Sequence, residues 1–193
     1  MTIEEADKQS ANPNYSVDKS YRINCQTCAP AYMLRLWGFD VKAKGNTPGS
    51  LSEWLSSEDN SFKAWKNIDG SPVVYENMSK WMRSKGWEQM SKKRYLDFFE
   101  EKCKSFGVYL LTISWKGRGG HATILQRLKN GNLVYVEPQS FNGSTFRDVS
   151  ELAEDGAFKI DDFRGGIHRH KGDGVLRIDD KLFDKNYLSI FDK

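Results

Sequence analysis

Cysteine is scarce in this chain: three residues, an odd number. That excludes a disulfide scaffold, which needs an even set in a short secreted chain, and fits a reduced protein with a functional thiol. Long apolar runs are missing too. The longest, VYLLTISW at residues 108–115, falls well short of the roughly 20 residues that cross a bilayer as a helix. No N-terminal stretch has the basic, then apolar, then small-residue order of a signal peptide. Export is not thereby excluded, because a chain can be cut from a longer protein or delivered by a machine. A strong charge of one sign is also absent. Basic residues number 29 and acidic residues 26, leaving +3, too mild to imply nucleic acid. There is no internal repeat and no low-complexity tract.

What is present suits one domain of 193 residues with a real core: 38% hydrophobic, 13% aromatic, with six Trp and eleven Phe. Residues 1–20 are polar, with Asn-Pro-Asn in the middle, and read as a tail or linker. Residues 21–193 read as a single domain. A helix is expected from Cys25 or Thr27 to Trp37, stopped by Gly38, with Ala29, Met33, Leu34 and Trp37 at helical spacing. FDVKA (residues 39–43) looks extended. Residues 51–56 and 74–105 are helix candidates, the second broken near Gly86. Then the character changes. GVYLLTISW (residues 107–115) reads as a strand, residues 120–140 as a hairpin around Asn130-Gly131, and FKIDDF and GVLRID as late strands. Helices first and an antiparallel sheet after make the class α+β. The densest positive cluster, residues 80–95, reads as a solvated helix face in preference to a patch for an acidic partner.

Three parts carry chemistry together: a cysteine at a helix start (Cys25 or Cys28), His121 entering a strand, and Glu137 on the next strand. Thiolate is the reactive form of cysteine. A helix N-terminus offers partial positive charge and free N–H groups that favour it. A nearby imidazole takes the thiol proton and a third polar group fixes the ring. His121 alone of the three histidines follows Gly-Gly and precedes a strand, while His168 and His170 look like surface loop residues. A zinc site is disfavoured, because one CxxC plus two distant loop histidines is poor spacing. A thioredoxin-like redox pair would need a preceding strand, and a polar segment stands there. A pair of merely buried cysteines stays open.

NCQTCAPAYMLRLWGFDVKA, followed much later by GGHATILQRLKNGNLVYVEPQS, resembles the papain-fold toxin family. That family includes bacterial protein-glutamine deamidases and C-terminal effector domains of some phage head-morphogenesis proteins. The resemblance runs in outline over residues 12–140, with NPNY looking like the run-in. It implies a papain-like cysteine hydrolase fold, N-terminal helices packed on an antiparallel sheet. It also implies a catalytic triad of Cys25, His121 and Glu137, where the family more often has Asp in place of the glutamate. Gln139 matches a glutamine frequent two residues after the acid, expected to orient His121 or help hold the oxyanion. Asn24 is expected to be an N-cap or turn residue.

Two local arguments complicate that mapping. Pro30 lacks an N–H and suits a helix's first turn. If Thr27 is the N-cap, Pro30 is comfortable and Cys28 is the helix-start thiol. If Asn24 is the N-cap, Pro30 falls in the second turn and costs a hydrogen bond. Propensity thus favours Cys28 and the resemblance favours Cys25. Strand parity is the second. A two-residue Asn130-Gly131 turn would point His121 and Glu137 to opposite faces. The mechanism therefore predicts a three-residue loop at 130–132, or a bulge, which puts His121, Glu137 and Gln139 on one face.

The chemistry of these parts is acyl transfer. Cys25 attacks a carboxamide carbon, and helix-start N–H groups, with a side-chain amide such as Gln26, hold the oxyanion. His121 protonates the leaving nitrogen and then activates water. No cofactor or metal is called for. The resemblance tilts the expectation to side-chain deamidation of a target protein's glutamine by a monomeric toxin or effector. Such a protein is secreted, delivered into a target cell's cytoplasm or phage-associated, with a cognate immunity protein that covers the site and neither nucleic acid nor membrane as partner. The same parts acting on a peptide bond make a cysteine protease, and a vestigial site makes a binding module. Cys103, at helical spacing with Phe99, and Trp54, Trp65, Trp81 and Trp87 read as packing, with one tryptophan open to lining a groove. Gly119 and Gly120 read as allowing close approach near His121.

Overall fold

A computed structural model describes residues 10–57, 60–114, 119–140, 146–150 and 172–192. In chain order they form helix α1 (Cys25–Leu36), strand β1 (Lys42–Ala43), helices α2 (Leu51–Leu55) and α3 (Asn60–Lys63), and strands β2 (Trp65–Lys66) and β3 (Glu76–Asn77). Helices α4 (Met78–Ser84) and α5 (Lys92–Lys102) follow. Then come strands β4 (Gly107–Ser114), β5 (Gly120–Arg127), β6 (Leu133–Val136), β7 (Phe146–Asp148), β8 (Gly174–Arg177), β9 (Leu182–Phe183) and β10 (Phe191–Asp192). Six strands make one antiparallel sheet in the order β3-β8-β4-β5-β6-β7, and β1-β10 and β2-β9 make two small ribbons. The class is α+β, with antiparallel sheets and a few helices. None of these helices is long and apolar enough to cross a membrane. The expected FKIDDF strand and His168 and His170 lie outside the described residues.

Side chains alternate across a strand, and here both faces are covered. Val108, Leu110, Ala122, Ile124 and Val136 join the core that contains α1. Tyr109, Leu111, Ile113, Leu125 and Leu133 join the core built with α4 and α5. Full burial of an aromatic side chain such as Phe98 in the second core stabilises by about 2–3 kcal/mol. Helix α4 begins at Met78, later than the periodicity suggests, because Glu76 and Asn77 pair with β8. Asn77 and Ser91 cap α4 and α5 by accepting from the backbone N–H of Lys80 and Arg94. The basic cluster is a solvated face: Lys80 and Arg83 are exposed, and Lys85 and Lys93 sit 3.0 and 2.7 Å from Glu101 and Asp97.

Helix α1 is buried on all sides from Gln26 through Arg35. The small residues Cys28, Ala29 and Ala31 permit that close packing. Even Arg35 is inside, its guanidinium donating to the Val41 carbonyl at 2.9 Å. The helix starts at Cys25, with Asn24 as N-cap, and Pro30 lies in its second turn. The Gln26 carbonyl therefore loses the donor that residue 30 would supply. The propensity argument for Thr27 as N-cap is corrected here, since burial all round outweighs one backbone hydrogen bond.

The first described residues are not a tail. Ala11 and Asn12 are fully buried, and the Ala11 carbonyl accepts from Ala43 N–H at 2.9 Å. Asn12 and Asn24 exchange side-chain amide hydrogen bonds in both directions, at 3.3 and 3.2 Å. Asparagine and proline read as turn formers, so nothing in their local pattern announces a buried amide pair.

The hairpin has the required parity by a shifted route. Arg127 pairs with Leu133, and Leu128 N–H bonds the Asn132 carbonyl at 2.8 Å. The loop is residues 129–131, one position earlier than expected. Gly131 takes the left-handed place at φ 89° and closes the turn onto the Leu128 carbonyl at 3.0 Å. We predict that Asn12→Ala lowers stability by about 1–3 kcal/mol in urea unfolding. Val17→Ala in the same segment, at an exposed side chain, stays within about 0.5 kcal/mol.

Candidate active site

Pairing between β5 and β6 ends at Ile124–Val136, so the first residues of β5 are paired with β4 alone. The N-terminus of α1 docks there. Cys25 is the first residue of α1 and is hydrogen-bonded to the His121 side chain. The Ala122 backbone N–H is a second donor toward the sulfur. On the far side of the ring, His121 Nε2 lies 2.7 Å from Glu137 Oε2, which leaves Nδ1 to the thiol. Close packing of β4 against β5 at this end depends on Gly120, where a Cβ would sit 2.6 Å from the Ile113 carbonyl oxygen. The close approach is to β4 rather than to His121.

The electrostatics follow from burial opposed by partners. Burial disfavours the Cys25 thiolate, but the His121 hydrogen bond and charge and the Ala122 N–H reverse this, and the thiol is held below its ordinary 9.0. Burial likewise opposes charge on His121. The Glu137 carboxylate and the Cys25 thiolate overcome it and raise the imidazole to about 10. Glu137 is held low against burial by His121 first, then by Tyr135 and the Gln139 N–H. The three groups titrate as one coupled unit, and each charge in it favours the others: the imidazolium lowers the thiol and the carboxyl, and the thiolate and carboxylate raise the imidazole.

The other expected residues have different places. Cys28 is fully buried, burial pushes its thiol well up, and its Sγ donates to Asn24 Oδ1 at 3.3 Å. Asn24 is the N-cap by position but makes no side-chain cap. It is the hub of a buried amide cluster, with Oδ1 also accepting from Gln139 Nε2 at 3.2 Å and Nδ2 donating to the Lys44 carbonyl at 3.0 Å. Gln139 therefore reaches the triad through its backbone, donating N–H to Glu137 Oε1 at 3.1 Å, while its side chain serves Asn24. Gln26 is corrected as an oxyanion donor: its amide nitrogen donates to the Ser52 carbonyl at 2.7 Å and its carbonyl oxygen faces Cys25 Sγ at 3.6 Å. The backbone N–H groups of Cys25 and Gln26 are the first two of α1, which have no intrahelical partner.

One residue that the sequence reading missed is Tyr135, whose phenol donates to Glu137 Oε2 at 2.6 Å. Its position two before the acid was the available signal, since residues two apart share a face along an extended chain, although β6 ends at Val136 and Glu137 lies just past it. Cys25 and His121 line a cleft of about 630 Å³ together with Ser56, Ser61, Thr112 and Ser114. Cys25, His121 and Tyr75 are the ionisable groups among its described lining residues. Cys103 and Trp65 are core, while Trp54 is 42% exposed, stacked on Tyr187. Among the described residues no cluster of three or more His, Cys, Asp or Glu could hold a metal ion. No family model, curated protein or solved structure matches the chain.

Iodoacetamide at neutral pH should label Cys25 and spare Cys28 and Cys103 until the protein unfolds. Labelling read by peptide mass spectrometry should slow by roughly ten- to a hundredfold in His121→Ala, as thiolate is lost. Equal labelling of Cys25 and Cys28 would contradict the assignment.

Proposed function

We propose that this protein is a papain-like cysteine amidohydrolase that converts glutamine side chains of a target protein to glutamate. The observation that carries the reading is the hydrogen-bonded series Cys25–His121–Glu137, whose first two members line a cleft, with the thiol at a helix N-terminus. The resemblance of the Asn-Cys-x-x-Cys helix start and the Gly-His strand to papain-fold toxins supports the same choice. So does the cleft's hydroxyl-rich lining, which suits an uncharged carboxamide.

The steps balance without a cofactor. Cys25 Sγ attacks the carboxamide carbon, and the oxyanion meets the backbone N–H groups of Cys25 and Gln26. The His121 imidazolium gives its proton to the amide nitrogen, ammonia leaves, and a thioester remains. Neutral His121 then takes a proton from water and becomes imidazolium again, hydroxide adds to the thioester, and the adduct collapses to Cys25 thiolate and the carboxylic acid, which gives its proton to the released ammonia in solution. Glu137 stays ionised throughout and orients the ring. Both ionised partners are required. Turnover falls as pH drops through the depressed Cys25 pKa, and falls again as pH rises past about 10, where His121 loses its proton. The protein fits a toxin or effector delivered to a target cell, acting as a monomer and covered by an immunity protein in its producer.

Incubation of wild-type protein, Cys25→Ala and Cys28→Ala with a cell lysate tests this by peptide mass spectrometry. Amide-to-acid mass gains on particular glutamines should appear with wild type and Cys28→Ala and vanish with Cys25→Ala. New peptide termini that depend on Cys25 would make the activity proteolytic, and thiol-independent changes would reject a Cys25 nucleophile.

A further inference from the structure

A glutamate is a demanding choice for the third member of this series. Its carboxylate rides on one more rotatable bond than an aspartate's, so more freedom must be removed before it can hold a ring in one orientation. Glu137 meets that demand with three donors. His121 Nε2 and the Tyr135 phenol share Oε2, at 2.7 and 2.6 Å, and the Gln139 N–H takes Oε1 at 3.1 Å. Tyr135 is itself fixed, paired across the sheet with Leu125 on one side and Arg147 on the other. Burial and the adjacent carboxylate push its phenol far above the physiological range, so it remains a donor at every working pH.

We propose that Tyr135 is a positioning residue: its phenol locks the Glu137 side chain so that the carboxylate holds His121, and through His121 the Cys25 thiolate. The inference rests on Cys25 being a thiolate paired with His121. Removing the hydroxyl frees Glu137, the imidazolium loses part of its stabilisation, and Cys25 requires a higher pH to ionise. The ionisable groups that face Glu137 are His121 from β5 and Tyr135 from β6, with Cys25 and Cys28 acting from α1.

The test is the pH midpoint of Cys25 alkylation by iodoacetamide in four proteins: wild type, Tyr135→Phe, Glu137→Gln and the double variant, with thermal unfolding in parallel. Tyr135→Phe should move the midpoint up by about half to one pH unit. The double variant should match Glu137→Gln alone, because the phenol acts through the carboxylate. A residue that serves only packing would lower the melting temperature and leave the midpoint in place. An unmoved midpoint in folded Tyr135→Phe overturns the proposal, as does an undiminished further shift on the Glu137→Gln background. If Tyr135→Phe does not fold, the contact is read in wild type as a downfield phenol proton resonance. Its loss in Glu137→Ala, which leaves no acceptor, supports the contact, and its persistence there refutes it. No protein substrate enters the assay, so the result is independent of which amide the enzyme attacks. A wild-type midpoint at the ordinary thiol value would instead reject the thiolate reading beneath it.

Discussion

The hydrogen bond from His121 Nε2 to Glu137 Oε2 is the interaction on which the site depends. A buried imidazole resists charge, and so does a buried thiolate. Each is costly alone, and together with the carboxylate they form a series in which every charge has a partner. Glu137 is thus the partner that lets the ring hold its charge beside the half-buried Cys25. The two cysteines make a contrast within one turn of helix. They share a helix end, yet the half-buried Cys25 faces an imidazole and an N–H and is held low, while the fully buried Cys28 faces an amide oxygen and is pushed up.

The geometry is held from outside the triad by amides. Asn24 sits immediately before Cys25 and joins three separate parts of the chain: Asn12 from the N-terminal segment, Lys44 just after β1, and Gln139 just after Glu137. Gln139 is therefore bonded at both ends, by its side chain to the start of α1 and by its backbone to Glu137. This links the position of the sulfur to the position of the carboxylate through the Asn24 and Gln139 side chains and the Gln139 backbone. Such a fully satisfied polar cluster specifies one arrangement of its elements, because any slip strands a buried polar group.

Much of this was legible in the chain, for physical reasons that differ by element. The apolar run of β4 and the Gly stop after α1 are local signals, and they read correctly. The three chemical residues were legible as types at plausible spacing, and the need for them to share a face correctly demanded an odd loop in the hairpin. The exact loop was not legible, because Asn130-Gly131 is also a two-residue turn signal, and only the ladder shows that Lys129 belongs to the turn. Pro30 misled because propensity is a weak local term and α1 is buried on every side. Asn12 and Tyr135 were hidden for a different reason: their roles exist only through contacts with Asn24 and Glu137. A polar N-terminal stretch and a strand tyrosine have ordinary readings until the fold brings those partners to them.

The ionisation state of His121 is the most direct measure of the account. Nitrogen-15 NMR of the imidazole in folded wild-type protein reports it without substrate or probe. The account predicts both ring nitrogens protonated at neutral pH, with the signal turning over only near 10. A ring already neutral at pH 8, titrating near the ordinary 6.5, would contradict the thiolate–imidazolium pair and the nucleophilic role built on it.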